Sequence, residues 1–166
     1  MSVGNTTFDG VLLDTSFIIR LLKTDDPLHA NTKAWFRWLL DHKVPMHLST
    51  ISISEFCVKG SFDQLPLRNV RVLPFNWQHA QRSGEFARIL LDQRKDEERA
   101  VVINDIKLLA QADVEPRISH FLTKDQRLNA KITQLSASGV QLRTILLDLN
   151  TPLADVLGQL NFPEQE

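Results

Sequence analysis

The chain has 166 residues, of which 43% are hydrophobic and 23% charged, with a formal net charge of −1. That length suits one domain with a sizeable core, and the balanced charge excludes a global basic field, so any nucleic-acid contact must come from a local patch or from metal ions. Cys57 is the only cysteine, which excludes an internal disulfide and fits a reducing compartment. With Phe56 and Val58 beside it, Cys57 reads as a buried packing residue. No apolar run approaches the roughly 18 residues of a membrane span, and no leader is visible. A cytoplasmic protein with no membrane contact is expected.

Met1 to Phe8 is a polar lead-in. Val11-Leu12-Leu13 predicts a short buried strand that ends on Asp14. Ser16 is a good N-cap for the apolar helix that starts at Phe17 and runs to Leu22. Thr24-Asp25-Asp26-Pro27 is a turn, because Pro27 cannot continue a helix and biases Asp26 away from helical angles. From His29 to Asp41, Trp35, Phe36, Trp38, Leu39 and Leu40 cluster at helical spacing, on a face wide enough to serve a partner as well as the core. Val44 to Ile53 predicts a second strand, and Ser52-Ile53-Ser54-Glu55 opens a helix that stops at Gly60.

Ser61 to Asn69 is a loop or short helix. Val70 to Phe75 alternates like a strand whose Pro74 marks an edge or an end, and Asn76 caps a helix from Trp77 to Leu91. Asp92 to Arg99 is a charged, solvated stretch. A helix from about Arg99 to Ala112 follows, then a strand from Ile118 to Thr123 with Asp125 directly after it. A helix spans Arg127 to Ala137, and a last strand spans Val140 to Leu149. Thr151-Pro152 starts a terminal helix with Leu153, Val156, Leu157 and Leu160 on one face. Strands alternating with helices predict a mainly parallel α/β sheet covered on both faces. We expect one domain over 1–166, with its core at about 11–149 and its C-terminal helix at about 152–160.

Four acids stand apart from the surface acids. Asp14 and Asp125 each follow an apolar strand, where open α/β sheets place their ligands. Glu55 falls at the start of a helix that leaves a strand. Asp105 has Val101 and Val102 before it, and Leu108 and Leu109 after it, at three and four residues, so it projects from an apolar stripe. A charge there costs several kcal/mol unless something pairs with it.

Each acid also has a plain structural reading. Asp14 could accept hydrogen bonds from a helix start, Ser52 and Glu55 match a capping box, Asp125 could cap the helix containing Leu128, and Asp105 could pair with Lys107 or Arg99. If the four converge, repulsion must be answered. Two carboxylates about 5 Å apart repel by roughly 3 kcal/mol at an effective dielectric near 20. Either some protonate or divalent cations bind, and oxygen-only ligands favour Mg2+ or Mn2+ over zinc.

In order and context these acids resemble those of the PIN-domain nucleases. The matching stretches are Val11-Leu12-Leu13-Asp14-Thr15-Ser16, Ser52-Ile53-Ser54-Glu55-Phe56, Asn104-Asp105-Ile106-Lys107-Leu108-Leu109-Ala110 and Phe121-Leu122-Thr123-Lys124-Asp125. Val102-Ile103-Asn104 stands where the family often has a glycine before its third acid. The resemblance implies a three-layer α/β/α sandwich around a mainly parallel sheet, and Mg2+- or Mn2+-dependent endonucleolytic cleavage of RNA. It implies that Asp14, Glu55, Asp105 and Asp125 are catalytic and bind the metal, with Ser16 and Thr123 as supporting hydroxyls. Lys124 and Arg127 would contact RNA phosphates, with Lys131 on the same rim and Arg20, Lys23 and Lys59 near two other acids. Many compact bacterial members resemble VapC toxins, which implies an antitoxin partner and a homodimer; the face around Trp35 and Trp38 would suit such a partner.

Two other readings compete. One is a PIN-like scaffold that binds RNA or protein without cleaving. The other is a Mg2+-binding receiver or phosphatase-like domain, but a phosphatase of that type wants a second acid two residues after the first, where Ser16 stands. No G-x-S-x-G elbow, zinc-like histidine spacing or glycine-rich phosphate loop is present.

Overall fold

The computed structural model describes residues 7–91 and 99–161. The expectations for the first six residues, for the charged stretch at 92–98 and for the side chain of Leu160 lie outside the described residues. The elements are β1 (Val11–Leu13), α1 (Thr15–Leu22), α2 (His29–Asp41), β2 (Met46–Ser49), α3 (Thr50–Phe56), β3 (Val70–Leu73), α4 (Trp77–Leu90), α5 (Arg99–Val114), β4 (His120–Thr123), α6 (Arg127–Ala137), β5 (Ile145–Asp148) and α7 (Leu153–Asn161). A short 3-10 turn, Phe62–Gln64, links α3 to β3.

Among the described residues the five strands are all parallel, in the order β3-β2-β1-β4-β5. A strand covered on both faces needs apolar residues at every position, and the unbroken Val11-Leu12-Leu13 meets that need. Val11 and Leu13 point into one core with Phe17, Ile18, Trp35, Leu39 and Val156. Leu12 points into the other with Phe86, Ile106, Leu109, Phe121 and Leu128. The result is a three-layer α/β/α sandwich, with α1, α2 and α7 on one face and α4, α5 and α6 on the other. Gly10 seats the start of β1: its carbonyl accepts from the Ser119 and His120 amides, and a Cβ there would lie 2.1 Å from the Arg117 carbonyl oxygen.

Several expectations shift. The second strand ends at Ser49, and Ile51 and Ile53 belong to α3, whose N-cap is Ser49, accepting from the Ile51 amide at 3.0 Å. Ser52 is therefore inside the helix and caps nothing; no capping box joins it to Glu55, which sits in the last turn and not the first. The N-cap of α1 is Asp14, with Ser16 already helical. The last strand is shorter than expected, starting at Ile145. Cys57 is exposed, because α3 ends at Phe56 and the chain turns outward, leaving Val58 77% exposed. The aromatic face of α2 is mostly used internally. Trp35 and Leu39 are fully buried, and Trp38 makes ring contacts with Phe8 and His42.

Candidate active site

The chain lays β1, β2 and β3 to one side and then returns to place β4 and β5 on the other. The reversal lies between β1 and β4, and a crevice opens outside the carboxyl ends of strands at such a point. Leu13 pairs with Leu122, so Asp14, which follows β1, and Asp125, two residues past the end of β4, lie at the same edge of the sheet. Asp14, Thr15, Ser16, Arg20, Glu55, Asp105, Lys124, Asp125 and Arg127 line a cleft of about 310 Å3 there. All four acids that stand apart in the sequence are on its wall. Asp105 is on the side of α5 that faces them.

Asp14 is held by three donors. The Thr15 amide reaches Oδ1 at 2.8 Å, while the Ser16 and Thr123 hydroxyls reach Oδ2 at 2.6 and 2.8 Å. Its position at the N-terminus of α1 adds the favourable end of the helix dipole. Burial nevertheless pushes its pKa up, opposed by Ser16 and Thr123 and assisted by the charge of Glu55. Thr123 does a second job: its Oγ1 accepts from the Asp125 amide at 3.0 Å, so one hydroxyl ties together the acids that follow β1 and β4.

Glu55 accepts a short hydrogen bond from the Thr15 hydroxyl and another, 2.8 Å long, from the Asn104 amide group. It is thus braced by α1 and α5 together. Asp105 takes its partner from α6: Lys131 Nζ lies 2.7 Å from its Oδ2. The partner is not Lys107, and the side chain of Arg99 lies outside the described residues. Burial raises the pKa of Asp105, against the hydrogen bond and charge of Lys131, and the charges of Asp125 and Asp14 raise it further. Asp125 differs. Arg127 donates to it from Nε at 3.0 Å, from a terminal nitrogen at 2.9 Å and from its amide at 2.9 Å. Those contacts pull its pKa down.

Electrostatics therefore link the set: Glu55 acts on Asp14, and Asp14 and Asp125 act on Asp105. Among the described residues, no three acidic, histidine or cysteine side chains stand as a ready-made ligand group. Lys124 is exposed on the rim, and Arg127 is exposed but engaged with Asp125. Lys131, placed on the rim by its position in the sequence, is instead buried. Thr15 and Asn104 carry no signal of their own in the sequence. Each lies close to one of the four acids along the chain, and only the meeting of α1, α3 and α5 gives it its role.

Beside the cleft runs a larger apolar groove of about 730 Å3, formed by Ile19, Leu22, Phe56 and Val58 and sharing Thr15 and Glu55 with it; Lys23 and Lys59 are on its wall.

Similar folds occur among solved structures. A VapBC2 complex from Rickettsia felis, bound to a DNA fragment from its promoter, aligns with a TM-score of 0.59 at 14% identity over 83% of this chain and 97% of that chain. FitAcB from Neisseria gonorrhoeae aligns with a TM-score of 0.54 at 16% identity over 84% and 97%. VapC20 of Mycobacterium tuberculosis, a sarcin-ricin loop cleaving toxin, aligns with a TM-score of 0.51 at 19% identity over 73% and 94%. No curated protein matches the sequence significantly. The family model for the PIN domain matches residues 11–132, most of the chain, a span within which the four acids fall. The chain belongs to the PIN-domain family.

Proposed function

We propose that the chain is a Mg2+- or Mn2+-dependent endoribonuclease that hydrolyses RNA phosphodiester bonds, the toxin of a toxin-antitoxin pair. The observation that carries this reading is the gathering of Asp14, Glu55, Asp105 and Asp125, far apart in sequence, around one cleft at the switch point of the sheet. Family membership and the toxin folds it resembles support it.

The donor set fits a hard divalent cation. Every candidate ligand is a carboxylate oxygen, and such ions are bound through one or two carboxylates with several waters kept. The raised pKa values of Asp14 and Asp105 mark a cavity that penalises their charge, which is the penalty a cation relieves. Asp14, Glu55, Asp105 and Asp125 would hold the ion. When bound, it supplies an activated water and stabilises charge on a phosphodiester oxygen.

The remaining work falls to the chain. Ser16 and Thr123 fix the Asp14 carboxylate, and Thr15 and Asn104 fix that of Glu55. Lys124 would hold a phosphate of the RNA at the rim, and Arg127 another while it orients Asp125. The apolar groove beside the cleft suits an antitoxin segment. It leaves Ile19, Leu22 and Val58 exposed, whereas Trp35 and Leu39 of the α2 face are buried. A homodimer is proposed with it, in keeping with the family's compact toxins.

The deciding experiment incubates purified protein with a mixed RNA pool. Discrete cleavage products with Mn2+ or Mg2+, abolished by a chelator, are expected; an intact pool over the full range of ion concentrations would favour the non-cleaving scaffold. Acid-stable acyl phosphate on an aspartate would point instead to a phosphotransfer domain. A companion measurement concerns the rim. Lys124→Ala should weaken RNA binding for all sequences alike and lower the slope of log affinity against log salt by about 0.7 to 1.

A further inference from the structure

Lys131 follows Asp125 along the chain like one more rim cation, yet the fold takes it inside. It is only 2% exposed, and its ammonium lies 2.7 Å from Asp105 Oδ2. A lysine this buried is uncommon unless paired, and its ammonium against a site acid brings a positive charge into the cleft. Resting on the metallonuclease reading above, we propose that Lys131 takes the place of a second metal ion, so that this site binds a single divalent cation.

Charge balance supports this. Fully ionised, the four acids that line the cleft carry four formal negative charges. Among the described residues, Lys131 on Asp105 and Arg127 on Asp125, both carried by α6, stand against two of them. Two remain, which one divalent ion balances. A second ion would leave the cleft with a net positive charge, and in a partly desolvated site that excess is poorly screened. The other cations on the wall do not alter the balance: Arg20 lies 3.9 Å from Asp26 and donates to the Ser16 carbonyl, and Lys124 is exposed to solvent.

The arrangement is also uneven. Asp105 and Asp125 are held by charged partners, whereas Asp14 and Glu55 are held by hydroxyls and amides alone. Neutral donors orient a carboxylate without cancelling its charge. The uncompensated half, Asp14 with Glu55, is where the single ion would rest, and Lys131 would confine Asp105 to contact through its other oxygen or through water.

Manganese counts both the ions and their spacing. Binding titrations and electron paramagnetic resonance at saturating Mn2+ should give one isolated ion per wild-type chain, and the same for Lys131→Arg, which keeps the charge. Lys131→Met should take up a second ion, with the spin coupling of two ions about 4 Å apart. Two coupled ions in the wild type would overturn the proposal, and that measurement stands even if Lys131→Met does not fold. A folded Lys131→Met that still binds one ion would overturn it as well. Failure of the wild type to bind any manganese would remove the metallonuclease reading itself, a result distinct from a wrong count.

Discussion

Asp14→Asn is expected to lower RNA cleavage at least about a hundredfold, beyond the 10–100-fold typical of a residue that merely orients a metal ligand, while making the metal-free protein more stable at neutral pH. The two effects have opposite signs because the same carboxylate has two energetic roles. As a ligand for the ion and its water it is needed in the charged form. As a group in the metal-free fold it is costly in that form, because desolvation and the neighbouring Glu55 raise its pKa above the ordinary value of 3.8. A carboxyl with a raised folded pKa favours the fold fully below its unfolded pKa, and that contribution is lost as pH rises through the folded pKa. Asparagine is nearly isosteric and uncharged, and the Ser16 and Thr123 hydroxyls can turn to meet it.

The stability difference between variant and wild type should therefore shrink toward pH 3.8 and grow above it. Comparing the two proteins at each pH removes the opposing influence of the buried histidines. Burial lowers the pKa of His120 to about 4 and lowers that of His47. A depressed histidine stabilises the fold above its unfolded value near 6.5, and that stability is lost as pH falls through the folded value. Both proteins share this loss. Thermal melts across the acid-to-neutral range, with cleavage assayed alongside, test the prediction. A variant that cleaves like wild type would sink the role given to Asp14, and one that melts lower at neutral pH would sink the electrostatic account.

Much of this is legible in the sequence because a doubly covered parallel sheet leaves strong traces. Val11-Leu12-Leu13 and Phe121-Leu122 are unbroken apolar runs since each side chain enters one core or the other. The acid after each run then marks the crevice. Asp105 is legible for a related reason, as a charge on an apolar helical stripe. What misleads is spacing shared by both kinds of element. Ile51 and Ile53, two residues apart, look like one face of a strand; in α3 they pack into opposite layers. Val140 and Leu142 pack against a core without pairing in the sheet, so burial alone looks like a strand. Strand order, and with it the reversal between β1 and β4, leaves no local trace. Lys131 is visible only as one more cation after Asp125, because its partner lies 26 residues earlier on another helix. Cys57 follows its apolar neighbours in the sequence but not in space.

Manganese should reverse the order of stabilities that Asp14→Asn creates. An ion that binds the folded state alone stabilises it by about 2.7 kcal/mol at a hundredfold excess over Kd. For a chain of 166 residues, that corresponds to a rise in Tm of roughly 5–11 °C. Wild type should gain this and Asp14→Asn should gain little, so the variant that melts higher without metal melts lower with it. The gain must also depend on pH with a definite sign. Protons and the ion compete for Asp14 and Asp105, and both hold protons more tightly than an ordinary carboxyl, so the manganese-induced rise should fade as the solution is acidified. Asp125, whose pKa Arg127 lowers, takes up its proton at lower pH than an ordinary carboxyl and contributes less to the fading. Thermal melts at graded Mn2+ and several pH values measure all of this. An equal rise for wild type and Asp14→Asn would mean that the ion does not depend on Asp14, and the metal site assigned to the cleft would fall.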